Sequence, residues 1–132
     1  MSNSITPNLD YIILCDSVSN SPDGKKTLYG LFDTINSKGF PCMHSNFFML
    51  IRFINGMGTH KLQVQILDPN DKPVFKTSKT IEIKLDNPLA GADLVMQFQG
   101  FVFKIPGSYR IKVTLDGRPM EEETKSFQLK QV

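Results

Sequence analysis

Apolar and polar residues alternate without a break from Tyr109 to Asp116. Tyr109, Ile111, Val113 and Leu115 fall on one side of an extended backbone, and Arg110, Lys112, Thr114 and Asp116 on the other. A period of two marks a strand with one packed face and one wet face. Pro106-Gly107 ahead of it supplies a corner, and Asp116-Gly117 behind it forms a hairpin turn whose glycine tolerates positive φ. Leu62, Val64 and Ile66 alternate in the same way with Lys61, Gln63 and Gln65, as do Phe127 and Leu129 with Gln128 and Lys130. Extended segments are predicted at residues 10–17, 26–34, 46–55, 59–68, 72–84, 92–105, 108–116 and 119–131. Breakers of hairpin type stand between them: Ser21-Pro22-Asp23-Gly24, Asn55-Gly56-Met57-Gly58, Asp68-Pro69-Asn70-Asp71 and the two pairs just named. Short strands at near-regular spacing, with little helical periodicity, predict one all-β domain over 1–132. Its expected form is an immunoglobulin-like antiparallel β-sandwich of seven to eight strands. The longer connections 35–45 and 86–91 are the natural crossings between the two sheets, and a short helical turn fits 88–93.

Three departures from simple alternation carry more information. In 92–105 the apolar set is Met96 and Phe98 before Gly100, then Phe101, Phe103 and Ile105 after it. A one-residue shift at a glycine predicts a β-bulge that re-aims the following side chains. In 46–55, Phe47, Met49, Ile51 and Phe53 make one apolar face, yet Phe48, Leu50 and Ile54 make the other apolar as well, interrupted only by Arg52. The first segment repeats this more weakly, with Tyr11, Ile13 and Cys15 opposed to Ile12 and Leu14. Either the 35–45 loop covers that second face, or Phe48, Leu50, Arg52 and Ile54, with Ile12 and Leu14, meet another protein or a second copy of the chain.

Fifteen Lys and Arg against thirteen Asp and Glu leave a formal charge of +2, too small to demand a nucleic acid or an anionic membrane as partner. The N-terminus shows no basic region before an apolar run, and no stretch near 20 apolar residues occurs. A cytoplasmic protein in a reducing compartment is expected, with Cys15 and Cys42 as free thiols. Cys15 reads as a small core hydrophobe.

No catalytic signature emerges: there is no Gly-x-Ser-x-Gly elbow, no phosphate-cradling loop and no His-Glu-x-x-His, so a non-enzymatic protein without a cofactor is expected. Cys42 and His44 share one side of an extended backbone, with Cys15 a conceivable third ligand. No second close ligand pair accompanies them, and no metal site is assigned. His60 reads as a surface residue opening a strand. The run at 121–123 reads as a solvated edge, because successive glutamates alternate faces and cannot converge on one ion. The cations at 76, 79, 84, 110, 112 and 130 are interleaved with glutamine and threonine rather than aromatic rings, which disfavours single-stranded nucleic acid. Tyr109 resembles the tyrosine corner of sandwich domains, a structural role. A convergent Asp16–His44 pair would support an enzyme, and an aromatic pocket at Tyr29 and Phe40 a ligand site.

Leu14-Cys15-Asp16, the run Leu28-Tyr29-Gly30-Leu31-Phe32-Asp33-Thr34-Ile35 and Phe40-Pro41, taken with Pro106-Gly107-Ser108-Tyr109 and Asp116-Gly117, resemble an uncharacterised family of short bacterial β-sandwich proteins. The resemblance spans nearly the whole chain. It implies a bacterial or phage-related intracellular setting and an accessory role, with no catalytic residue to carry over. The function expected is a protein-interaction or assembly module, through the apolar second face or the two long loops. The alternative is a small-ligand or carbohydrate-binding sandwich.

Overall fold

Asp33 is where the chain first leaves one sheet for the other, and the architecture follows from that crossing. The computed structural model describes residues 4–120 and 125–132; the glutamate run at 121–123 lies outside them. Among the described residues the strands are β1 (Asn8–Asn20), β2 (Lys26–Phe32), β3 (Thr34–Ser37), β4 (Cys42–Ile54), β5 (Gly58–Leu67), β6 (Pro73–Lys76), β7 (Ile81–Leu85), β8 (Ala92–Phe103), β9 (Gly107–Leu115), β10 (Arg118–Pro119) and β11 (Lys125–Gln131). One sheet runs β2-β1-β4-β8. The other runs β3-β11-β9-β5-β6, with β7 also on β5 and β10 on β9. The two make an all-β sandwich, antiparallel except where β3 runs parallel to β11. No helix among the described residues is long and apolar enough to cross a membrane.

The eleven strands exceed the seven to eight expected because three predicted segments divide. At 26–34 the division is Asp33, whose carbonyl accepts the Gln128 N–H at 2.8 Å as the chain passes to β11. At 72–84 the polar stretch 77–80 leaves the ladder. Thr77 fills the gap, donating its N–H to Val64 O at 3.0 Å and accepting the Val64 N–H at Oγ1 at 3.2 Å. At 119–131 the short β10 ends at Pro119 and stands apart from β11, which opens at Lys125. The 35–45 connection is itself mostly strand, being the end of β3 and the start of β4. The 86–91 connection crosses between sheets as expected, but Asn87 shapes it as a turn rather than a helix, accepting the Ala90 N–H at 3.0 Å.

Between the sheets lie Leu9, Ile12, Leu14, Phe47, Met49, Ile51, Phe53, Phe98 and Phe103 from one side. They face Leu62, Val64, Ile66, Ile83, Leu85, Tyr109, Ile111, Val113, Leu115, Phe127 and Leu129 from the other. The alternation in β5, β9 and β11 therefore read correctly. That of β1 inverts: Ile12 and Leu14 point inward, and Tyr11, Ile13 and Cys15 outward. The reason is a register shift between Leu9 and Tyr11 against β4, an extra residue that reverses every later side chain.

Phe47 is the hub of the aromatic end of this core. Its ring stacks on Phe98 at 4.8 Å and meets Phe32, Phe101 and Phe103 at 6.0–6.4 Å between centroids. These rings can gather because the sense of β8 inverts at Gly100 (φ 64): the predicted re-aiming of side chains is present, but the predicted β-bulge is not. The pairing with β4 nonetheless keeps one register throughout, Asn46↔Gln99 on one side of the inversion and His44↔Phe101 on the other. Both strands thus change facing together, turning Phe101, Phe103, Cys42 and His44 inward and leaving Met43 and Val102 in solvent.

Tyr109 makes the expected corner: its hydroxyl, in a ring only 1% exposed, donates to Ile105 O at 2.7 Å. Burial pushes its pKa up. Tyr109→Phe keeps the ring and removes one bond, leaving the Ile105 carbonyl to solvent. We expect a loss of about 1 kcal/mol, read as a lower urea midpoint at unchanged slope.

Candidate protein-interaction surface

The outward face of the four-stranded sheet can be laid out from its register. One row is Leu31, Cys15, Phe48 and Gln97; the next is Ile13, Leu50 and Val95; a third is Tyr11, Arg52 and Asp93. Directly opposed residues share a face with Cβ atoms about 5 Å apart, so each row is a ladder of touching side chains. Leu31 is 63% exposed, Tyr29 51% and Val95 39%, whereas Leu50 and Cys15 are buried.

Of the residues assigned to an interaction face, Phe48, Leu50 and Arg52 do lie outward. Phe48 is half-buried and Leu50 is buried beneath its row. Ile12 and Leu14 do not belong to it, since the β1 inversion puts them in the core. Ile54 is half-buried at the end of β4, where it pairs with Asn8. Sequence reasoning missed Tyr29, Leu31, Ile13 and Val95. Leu31 and Tyr29 alternate with Leu28 and Phe32 around Gly30 in a seven-residue segment, too short to show which side is wet. The 35–45 connection does not roof this face. Ile35 pairs with Leu129, and Phe40 and Cys42 pack against the core.

Polar groups bound the apolar rows. Arg52 Nη1 donates to Asp93 Oδ1 at 2.7 Å, its Nε lies 3.6 Å from Asp10, and Lys26 reaches Asp93 at 3.4 Å. These contacts hold the guanidinium firmly charged, the Asp93 hydrogen bond outweighing partial burial. The plane lies against Gly91, where a Cβ would collide with it. Arg52 is therefore committed to tying β1, β2, β4 and β8 together rather than free for a partner. Gln97 Nε2 donates to Asn46 Oδ1 at 2.8 Å at the opposite boundary. The Cys15 thiol is pushed up first by burial and then by the charge of Asp16, which keeps it an inert packing group.

The other residues singled out do not converge. Cys15 faces outward while Cys42 and His44 face the core, and no three His, Cys, Asp or Glu side chains among the described residues are grouped to hold a metal. His44 sits between Phe32 and Phe47, its Nε2 without a hydrogen-bond partner among the described residues. Asp16 is exposed and stands against Gly30. Tyr29 lies on the outer face and Phe40 against the core, so they form no shared pocket. A cavity of about 270 Å³ is lined by residues that include Leu31, Phe32 and Lys125, and one of about 360 Å³ by Lys61, Gln63, Thr80, Thr114, Asp116 and Gly117.

His60 is a correction. It is 2% exposed, not a surface residue: Nδ1 lies 2.6 Å from Asp116 Oδ2 and Nε2 2.9 Å from Met57 O. Both ring nitrogens face acceptors, so the doubly protonated ring satisfies both. Burial opposes that charge, but the hydrogen bonds to Asp116 and Met57 and the Asp116 charge outweigh it and raise the pKa. Asp116 is held below its ordinary value. Burial raises it, and the His60 hydrogen bond, the Lys61 N–H at 2.8 Å and nearby positive charge more than offset that. The pair ties the turn before β5 to the turn after β9, an architectural role.

Residues 10–126 match a family of unknown function, DUF6941. The chain belongs to that family. DUF6941 fits the resemblance seen in the sequence, which pointed to an uncharacterised family of short β-sandwich proteins. No curated protein matches the chain. Among solved structures, it is similar to Pseudomonas fluorescens alkylpurine DNA glycosylase AlkC bound to DNA containing an abasic site analog. The identity is 10% and the TM-score 0.47, over 90% of this chain and 30% of that one. It is also similar to a CARDB domain from Pyrococcus furiosus in complex with di-metal ions. There the identity is 14% and the TM-score 0.41, over 96% of this chain and 89% of that one. Both are distant, and the chain spans less than a third of the glycosylase's length.

Proposed function

We propose that this DUF6941 chain is a non-enzymatic protein-interaction module, an immunoglobulin-like sandwich that docks a partner protein on the outward face of β2-β1-β4-β8. The observation that carries the reading is the exposure of Leu31, Tyr29 and Val95 around Ile13 and Phe48, on a face with an apolar centre and a polar boundary. That composition is the anatomy of a protein–protein contact. A solvated sheet face of a lone domain ordinarily alternates to polar residues, as the outward positions of β5 and β9 do here with Gln63, Gln65, Lys112 and Thr114. The partner meets an extended, shallow ladder rather than a cleft. Cys15 and Cys42 as unpaired thiols are in keeping with a reducing, cytoplasmic setting.

A benzophenone amino acid at position 31 tests this in the native host. We expect a discrete photo-adduct with another protein from position 31, lost when Tyr29→Asp is added, and none from position 79 in the connection between β6 and β7. Equal labelling from both positions, or none from 31, overturns the reading.

A further inference from the structure

We propose that β8 is the seam of a homodimer, pairing antiparallel with β8 of a second copy so that two four-stranded sheets join into one of eight strands. β8 is an edge: of the described strands it hydrogen-bonds only β4. Unpaired edges recruit other chains, and proteins blunt them with charge, proline or brevity. The other edges here are blunted. β3 has four residues, β6 starts at Pro73 and ends at Lys76, β7 exposes Glu82 and Lys84, and β2 has seven residues and opens on Lys26. β8 is long and carries charge only at its ends, Asp93 near its start and Lys104 just past its last residue; from Leu94 to Phe103 it has no charge and no proline.

The sequence of β8 is also complementary to itself. In an antiparallel pairing with its twofold axis between Phe98 and Gln99, Asp93 stands opposite Lys104 of the second copy at each end. Outward Val95 then meets outward Val102, and inward Leu94 and Met96 meet inward Phe103 and Phe101. Only the central Phe98–Gln99 pair, beside the axis, sets an inward ring next to an outward amide. In a regular strand such a register would set inward residues against outward ones throughout. The inversion at Gly100 removes that conflict, because residues on its two sides differ in sense by one position. The contact is isologous, as a closed dimer requires, and each row of outward side chains continues into the partner's. This edge shares Val95 with the outward face, whose other exposed residues, Leu31 and Tyr29, lie on β2 at the far side of the sheet.

Sedimentation equilibrium at tens of micromolar is expected to give twice the 14.9 kDa chain mass. Val95→Lys with Val102→Lys places like charges opposite one another twice and should raise the dissociation constant roughly tenfold or more. Val95→Lys with Val102→Glu pairs opposite charges at the same places and should restore the dimer. Mixing Val95→Cys protein with Val102→Cys protein should yield a disulfide-linked dimer under mild oxidation, which neither gives alone above the wild-type level. That readout stands even if the lysine pair unfolds the chain. A wild-type monomer, or a dimer that yields no mixed disulfide, overturns the proposal. The photo-adduct from position 31 is unaffected by either result.

Discussion

Phe47→Ala is expected to cost about 3–5 kcal/mol, a large share of the roughly 5–15 kcal/mol that holds a domain of this size folded. Phe47 is 1% exposed and its ring touches five others, so truncation leaves a void bordered by Phe32, His44, Phe98, Phe101 and Phe103. Those rings are held by two sheets and collapse into it only in part, which places the cost toward the upper end of the range. Phe48→Ala, one residue along and half-exposed on the outward face, is the internal control and should cost well under half as much. Equilibrium urea unfolding of both variants checks this. Equal losses would mean that the facing of β4 is not as described.

Asp116→Asn should weaken the chain most in mildly acidic solution, by about 1–2 kcal/mol near pH 6, after discounting for a carboxylate that is 43% exposed. The substitution keeps the turn, since asparagine accepts the positive φ of 50 that position 116 requires ahead of Gly117, and removes the charge together with the acceptor oxygen that faces His60. The pKa of His60 is higher folded than unfolded, so its contribution is whole below the ordinary 6.5 and fades as pH climbs through the raised folded value. The pKa of Asp116 is lower folded than unfolded. Its contribution is whole above 3.8 and fades as pH falls through the lower folded value. The pair is therefore at full strength between 3.8 and 6.5. Unfolding free energies measured at pH 6 and pH 8 should show the gap between wild type and Asp116→Asn narrowing at the higher pH. A gap that widens would mean that His60 is neutral in the folded chain.

The fold was legible wherever alternation was clean. β5, β9 and β11 each bury one side against the core, and period two states which side. The Tyr109 corner and the Asp116-Gly117 turn were legible from turn chemistry. The outward face was only half legible. Two-sided apolarity in β4 announced it, but an extra residue near Asp10, with no glycine to mark it, reversed β1 and moved Ile12 and Leu14 into the core. His60 was misread because its partner lies fifty-six residues away. A histidine beside a turn looks solvated until topology brings a carboxylate to it. The gathering of phenylalanines around Phe47 depended likewise on β2, β4 and β8 meeting at one end, which composition cannot state.

The joint change of facing at Ser45 and Gly100 bears on how chain length can vary. Removing Gly100 alone would leave β8 one position out of step with β4 beyond that point and expel Phe101 and Phe103 from the interior. Removing Ser45 alone would do the same to Cys42 and His44. Removing both would leave two ordinary strands with every interior ring still interior, so a matched pair of deletions at this spot should preserve the fold where a single one should not.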